Sequence, residues 1–303
     1  MLKKYHFNLI KKNLLRYSIL LRYKRRGIKI IDNKWANNVK TSNRLFILGS
    51  GPSINDLSEN DWSIIRRHDS VGFNCWWLHD FIPTFYVAQE IYDKNSSAFK
   101  NDIMTNAYLS RQEDYSNVPV VFRGSVVNDG TLEHCAFFMA LYSTKTNNLV
   151  VSGELSWNAI ARKARTKDDV REALELMRKT GWLRKGKITG QIPKAIASVT
   201  FIMALGCQMG YDEIILCGID MNNSNHFYNG QQVEIVRTLR SEIETVNTHP
   251  HAHRKHGFGL SAKETIIELG KCLSKEDVKV TLQSRTSALW PCIEVSDVFL
   301  GSQ

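Results

Sequence analysis

No stretch of this 303-residue chain reaches the roughly 20 apolar residues that a membrane-spanning helix needs. The nearest approach, residues 195–210, is too short. The six cysteines (Cys75, Cys135, Cys207, Cys217, Cys272, Cys292) include no CxxC pair. Neither a zinc ribbon nor a redox motif is therefore indicated, and a reducing cytoplasm fits. Internal repeats and low-complexity segments are missing as well. The first thirty residues hold no acidic side chain but ten Lys or Arg, and the thirty basic residues beyond them equal the acidic ones in number. The net charge of +10 thus belongs to a basic arm, drawn over residues 1–43, and not to the body.

Within that arm Ile10, Leu14, Tyr17 and Leu21 share one helical face, with Lys or Arg on much of the rest. A basic amphipathic helix suits an anionic membrane surface. A helix packed on the domain and an RNA-binding tail are the other readings. No uninterrupted apolar core or small-residue cleavage site follows the charges, so a secretory signal is not expected. The expectation is a cytoplasmic protein peripheral to the inner membrane.

Beyond a polar, loop-like stretch over 32–42, short apolar runs recur at 45–48, 70–73, 84–87, 118–122, 149–152, 213–217 and 278–282, with helical patterns between many of them. That alternation predicts an α/β fold with a mostly parallel sheet covered on both faces. Ligands of such sheets bind beyond the C-terminal strand ends. At the first of these ends stands LFILGSGPSIND, residues 45–56, where Gly49 and Gly51 permit positive φ or close approach of a ligand. Pro52 suits a first helical turn and Ser53 a cap. A strand, glycine loop and helix in this order point N–H groups at an anion, often a phosphate; a tight turn with no ligand is the other reading.

Residues 155–190 read as an inserted helical lid or, nearly as well, as an ordinary crossover helix. The helix itself is well marked. Thr166 can cap it, Val170, Ala173, Leu174 and Met177 share a face, and Gly181 can end it. Next, an apolar helix through about Met209 ends at Gly210-Tyr211, and a buried strand follows over 213–217 and stops at Gly218-Ile219-Asp220. Ser198 falls in that helix's first turns.

GSGPS on the first strand together with ALGxxxGYDEIILCGID resembles, over roughly residues 44–290, the bacterial sialyltransferases of glycosyltransferase family 42. The resemblance implies a Rossmann-like, GT-A-like catalytic domain over 44–290 and a C-terminal tail over 291–303. It implies inverting transfer of sialic acid or a related nonulosonic acid from a CMP-sugar to a hydroxyl of a bacterial surface glycan, such as a lipooligosaccharide or capsule. It further implies no metal and no cofactor. Carried over, Gly49, Ser50 and Gly51 would face the nucleotide, with Ser50 where the family usually has Asn. Asn74 matches a nucleotide-contacting Asn, and Ser198 a donor-binding serine. The family Arg falls on Ala195, next to Lys194. Tyr228 and Asn222 fall on two tyrosines that hold the leaving phosphate. Pro52, Ser53, Gln89 and Asp220 complete the substrate-binding set.

His249, His251, His253 and His256 cluster in one segment. Histidine is a metal ligand and also a base near neutrality. The resemblance implies the second use, with His256, or His253 three residues earlier, taking the acceptor's proton. The expected partners are a CMP-nonulosonate, a glycan acceptor and an anionic membrane, with no nucleic acid and with homo-oligomerisation open. The rival readings are a pyrophosphokinase of the DUF115 type, which the same motif pair also resembles, another nucleotide-sugar transferase, or a non-enzymatic binding module whose basic arm docks RNA or a partner.

Overall fold

The computed structural model describes residues 21, 23–25, 27–89, 108–124, 141, 149–156, 166–222, 226–228 and 261–299. In chain order its elements are α1 (Asn33–Val39), β1 (Arg44–Leu48), α2 (Glu59–Arg66), β2 (Asp69–Phe73), β3 (Phe85–Gln89), β4 (Val120–Gly124), β5 (Leu149–Ser156), α3 (Lys167–Lys179), β6 (Gln191–Lys194), α4 (Ser198–Met209), β7 (Glu213–Cys217), α5 (Ala262–Ser274) and β8 (Lys279–Leu282). The strands form one sheet in the order β6-β5-β4-β3-β2-β1-β7-β8. All its described pairings are parallel. From β1 the chain builds outward through β6, then returns to the other side of β1 to lay down β7 and β8. The β1–β7 boundary is therefore the topological switch point, where open parallel sheets leave a crevice at their C-terminal edge.

Local chemistry explains most of these elements. Leu45, Phe46, Ile47 and Leu48 of β1 are fully buried, as a central parallel strand requires. Three helices begin with reciprocal capping boxes: Ser58 with Asp61, Thr166 with Asp169, and Ser261 with Glu264. In α3 the expected face, Val170, Ala173, Leu174 and Met177, is buried. α4 is buried along nearly all its length, and its sequence is accordingly apolar but for Ser198, Thr200 and Gln208.

Three expectations change. The stretch over 32–42 contains α1. Asp32 caps it by accepting from the Trp35 N–H at 2.8 Å, and Ala36 and Val39 are buried. One turn of apolar spacing among asparagines is too short to stand out as a helical pattern. The arm also ends well before 43. Tyr23, Ile28 and Ile31 are buried, and Ile30 bridges to Val151 beside β5. Finally, β6 has no counterpart among the predicted strands. It is a four-residue edge strand with sequence QIPK, and Pro and Lys belong on edges for the reason that hides them from pattern reading. β5 is correspondingly longer, pairing with β4 over 149–153 and with β6 over 153–156. The helix α3 thus joins two parallel neighbours and lies on α5, through Arg171–Glu268 at 2.7 Å and Lys167–Glu264 at 3.1 Å, and on the turn after it, through Arg178–Glu276 at 3.2 Å. By its connection α3 is a crossover helix between the parallel neighbours β5 and β6.

Candidate functional site

At the switch point the loops that follow β1 and β7 are bonded to each other over three successive steps. The Gly49 N–H donates to the Cys217 carbonyl and the Gly51 N–H to the Gly218 carbonyl, both at 2.8 Å. The Ser53 N–H and hydroxyl then donate to the two carboxylate oxygens of Asp220, at 3.0 and 2.5 Å. The glycines serve this approach. A Cβ on Gly49 would lie 2.5 Å from the Gly218 carbonyl oxygen, and one on Gly51 would lie 2.7 Å from it and collide with the Asp220 carboxylate. Gly218 itself has φ +64, a conformation that favours glycine.

This corrects part of the phosphate-cradle expectation. The N–H groups of Gly49, Gly51 and Ser53 are engaged by the neighbouring loop, the last by its Asp220 carboxylate, and are not left to cradle a phosphate. Ser53 caps nothing: the turn over Pro52–Asp56 starts at Gly51 without a side-chain cap. Asp220 is buried and engaged by Ser53, so it positions the loops. Pro52 takes the first position of that turn, as expected. Ser50 is half-buried, and its carbonyl accepts from the Phe227 N–H at 2.9 Å.

Two residues that the sequence does not single out join the same network. Gln283, directly after β8, accepts from the Gly218 N–H at 3.2 Å and donates to the Ser53 carbonyl at 2.7 Å. Ser287 donates to the Ile219 carbonyl at 2.7 Å. Both lie far along the chain from the loops they hold, and no spacing marks them. Their only signal is a polar residue placed at or beyond a strand's C-terminal end.

The β2 end closes the crevice on its other side. Asn74 adopts φ 54 and Met221, just past β7, φ 59; both are non-glycine residues in the left-handed region. Such strain, on the order of 1 kcal/mol or more each, gathers at ligand sites. The Asn74 carbonyl accepts from the Tyr86 hydroxyl. Tyr228 is buried, stacks on His226 with ring centroids 4.9 Å apart, and hydrogen-bonds Cys75, the half-buried neighbour of Asn74. Burial first, then Cys75, pushes the Tyr228 phenol far above its ordinary pKa, so it stays a neutral donor. Asn222 is exposed, and its amide donates to the Thr286 carbonyl at 2.7 Å. The amide expected to meet a phosphate therefore has a protein partner here.

Phe227, between these residues, seats the 226–228 segment. Its ring lies 5.4 Å from Trp76 and 5.2 Å from His79, and its carbonyl accepts from the Asn55 amide at 3.1 Å. Burial lowers the His79 pKa to about 4, so its imidazole is a neutral ring within this aromatic stack.

The remaining candidates stand at the far end of the same edge. Ser198 opens α4, half-buried, behind an N-cap, Ala197, that makes no side-chain cap. Lys194 ends β6 and pairs with Glu154 at 3.2 Å, and Glu154 pairs with Arg123 at 3.1 Å. Arg123 and Glu154 are buried, and the guanidinium lies 5.3 Å above the Phe201 ring. The sequence reading has neither residue, yet buried charges of this kind are costly unless paired. Gln89 ends β3, and its backbone pairs in register with Arg123. His253 and His256, the candidate bases, lie outside the described residues. Among the described residues no group of three metal-ligating side chains comes together.

No protein-family model matches the chain, and none of the curated proteins does. Among solved structures it is similar to those of the sialyltransferase CST-II. One, of a substituted form in complex with CMP, is 15% identical over 84% of this chain and 87% of that one, with a TM-score of 0.47. A second substituted form with CMP gives 0.46 at 15% identity. The complex with a trisaccharide acceptor and CMP gives 0.45 at 14%.

Proposed function

We propose that this chain is a metal-independent, inverting glycosyltransferase that moves a nonulosonic acid from a CMP-sugar to a hydroxyl of a glycan. The observation that carries the reading is the meeting, at the switch point of a parallel sheet, of the two loops that hold the motif, GSGPS and GYDEIILCGID. The motif resemblance supplies the donor class. With the loop N–H groups engaged internally, binding falls to side chains around the crevice: Ser50, Asn74 and the Tyr228 hydroxyl, which would exchange Cys75 for a phosphate oxygen. A neutral donor suits that task, because negative charge grows on the phosphate as the bond from its oxygen to the anomeric carbon breaks. The acceptor oxygen would attack from the opposite face of the sugar, and His256 or His253 would take its proton. Lys194, held by Glu154, would offer a cation to the donor's carboxylate, and Ser198 a hydroxyl.

The test is a melting-temperature screen with CMP, UDP, GDP and ATP, without added divalent metal. A ligand at 100 times its Kd stabilises by about 2.7 kcal/mol. CMP should raise the melting temperature by several degrees and the purine nucleotides should not. If only ATP or GDP raises it, or if CMP needs magnesium to do so, the donor assignment is wrong.

A further inference from the structure

The described surface is nearly free of large apolar side chains. Three stand out, Leu21 at 39% exposure, Leu109 at 45% and Trp290 at 46%. Trp290 is tied to the crevice through its loop. The chain leaves β8 at Leu282, at the C-terminal edge of the sheet, and comes back to the same residue, where Leu282 bridges Val295 and its N–H donates to the Glu294 carbonyl at 2.8 Å. The excursion between them leans on the loop that follows β7. Asn222 donates to the Thr286 carbonyl, Ser287 to the Ile219 carbonyl, and the Ala288 N–H to the Asp220 carbonyl, each at 2.7 Å. Trp290 comes two residues after Ala288, so its backbone lies within about 7 Å of that anchor.

The mount is firm. Leu289 and Ile293 on either side are buried, the Trp290 N–H donates to the Ser287 carbonyl at 3.1 Å, and the Ile293 N–H to the Leu289 carbonyl at 3.0 Å. Leu289 and Ile293 anchor the turn in the core, whereas Trp290 is not part of the core cluster and nearly half of it meets water. Burying an aromatic side chain normally contributes about 1.5–3 kcal/mol. An exposed indole on a backbone held in this way is instead a prepared contact surface, with only two side-chain torsions left to order. Asn222 and Thr286, also exposed, share its loop contact and supply an amide oxygen and a hydroxyl.

We propose that Trp290 is the platform of a sugar subsite, on which one pyranose of a glycan acceptor lies flat. A pyranose presents a patch of polarised C–H bonds on one face and hydroxyls around its rim. The first matches the electron-rich face of an indole, the second the hydrogen-bonding groups of Asn222 and Thr286. The identity of the sugar as an acceptor rests on the glycosyltransferase reading; the subsite itself does not.

The experiment therefore reads glycan binding directly. The full-length protein, its Trp290→Ala variant and its Trp290→Phe variant are passed over an array of immobilised oligosaccharides ending in hexoses and N-acetylhexosamines. The best glycan is then titrated by calorimetry with CMP present and absent. Wild type should retain a subset of the array, Trp290→Ala should weaken that glycan at least tenfold, and Trp290→Phe should restore most of the loss. The variants' melting temperatures should stay within about 2 °C of wild type, because the indole is outside the core. The inference is overturned if wild type holds no oligosaccharide, or if Trp290→Ala binds as well as wild type. It is equally overturned if the substitution weakens binding to anionic phospholipid vesicles and leaves glycans untouched, which would make Trp290 a membrane contact. The CMP melting shift of the same samples reports separately on the donor. Its absence alongside tryptophan-dependent glycan binding defeats the transferase reading and leaves the subsite.

Discussion

Asp220 sits where a catalytic or metal-binding carboxylate would be sought, at the C-terminal end of a parallel strand. Its partners give it another task. Ser53 supplies two donors to it from the opposite loop, and Gln283 bonds the Ser53 carbonyl from a third element. Hydrogen bonds to a buried carboxylate are charge-assisted and contribute more than neutral ones, while a partner left unpaired costs about 1–3 kcal/mol. Asp220→Asn and Ser53→Ala should each lower the free energy of unfolding in urea by about that much. The double variant should cost clearly less than the sum, with a coupling of about 1 kcal/mol or more, because both substitutions break the same contact. CMP binding should weaken in all three, since the glycine loop loses its tether. Additive losses would mean that the two loops are held together by their backbone bonds alone.

Elements show where sequence is informative and where it is not. The helix at 167–179 is legible because its determinants are local: Thr166 and Asp169 three residues apart, and an apolar face at helical spacing. The strands β1 and β7 are legible as apolar runs ending in glycine, and so is their site at the C-terminal edge. What those glycines touch is not legible, because Gly51 and Asp220 stand far apart in the chain and no spacing encodes their approach. Gln283, Ser287, Arg123 and Glu154 escaped for the same reason, and β6 because a short edge strand with Pro193 lacks the signal. The docking of α3 yields a discriminating prediction. Leu174 is 1% exposed, on a helix whose flank carries ion pairs to α5 and to the turn after it. Leu174→Ala should cost about 2–5 kcal/mol. Arg171 is half-exposed, its pair with Asp168 is open to solvent, and the buried Glu268 carboxylate that it also holds keeps Lys271 as a second cation at 3.1 Å, so its loss removes an interaction that salt screens. Arg171→Gln should thus shift the melting temperature far less than Leu174→Ala, and 0.5 M NaCl should reduce its effect further. A loss as large as that of the leucine would mean that α3 is docked by charge.

At the scale of the whole molecule, the charge is uneven and the chain's start has two parts. Residues 1–20 carry five Lys or Arg, and residues 21–30 carry five more. The second group belongs to a stretch stitched into the body. Tyr23 and Ile28 are buried, the Ile31 N–H donates to the Val151 carbonyl at 3.0 Å, and the Val151 N–H donates to the Lys29 carbonyl at 2.8 Å. Val151 lies in β5 on the side where β6 has not yet begun, so this segment occupies sheet edge that would otherwise be open. Two truncations should therefore behave differently. Removal of residues 1–20 should leave the melting temperature within about 2 °C of the full chain. If the proposed membrane contact is correct, it should also abolish most binding to phosphatidylserine vesicles, since each basic residue near such a surface contributes roughly 1 kcal/mol. Removal of residues 1–31 should in addition lower the melting temperature by several degrees, because it strips Ile28 and Ile31 from the core and reopens the β5 edge at Val151. Sedimentation with vesicles of graded phosphatidylserine content measures the first effect, and thermal unfolding the second. Unchanged vesicle binding after removal of residues 1–20 would assign any affinity to the body; equal melting of the two truncations would show that the 23–31 stretch rests on the sheet without stabilising it.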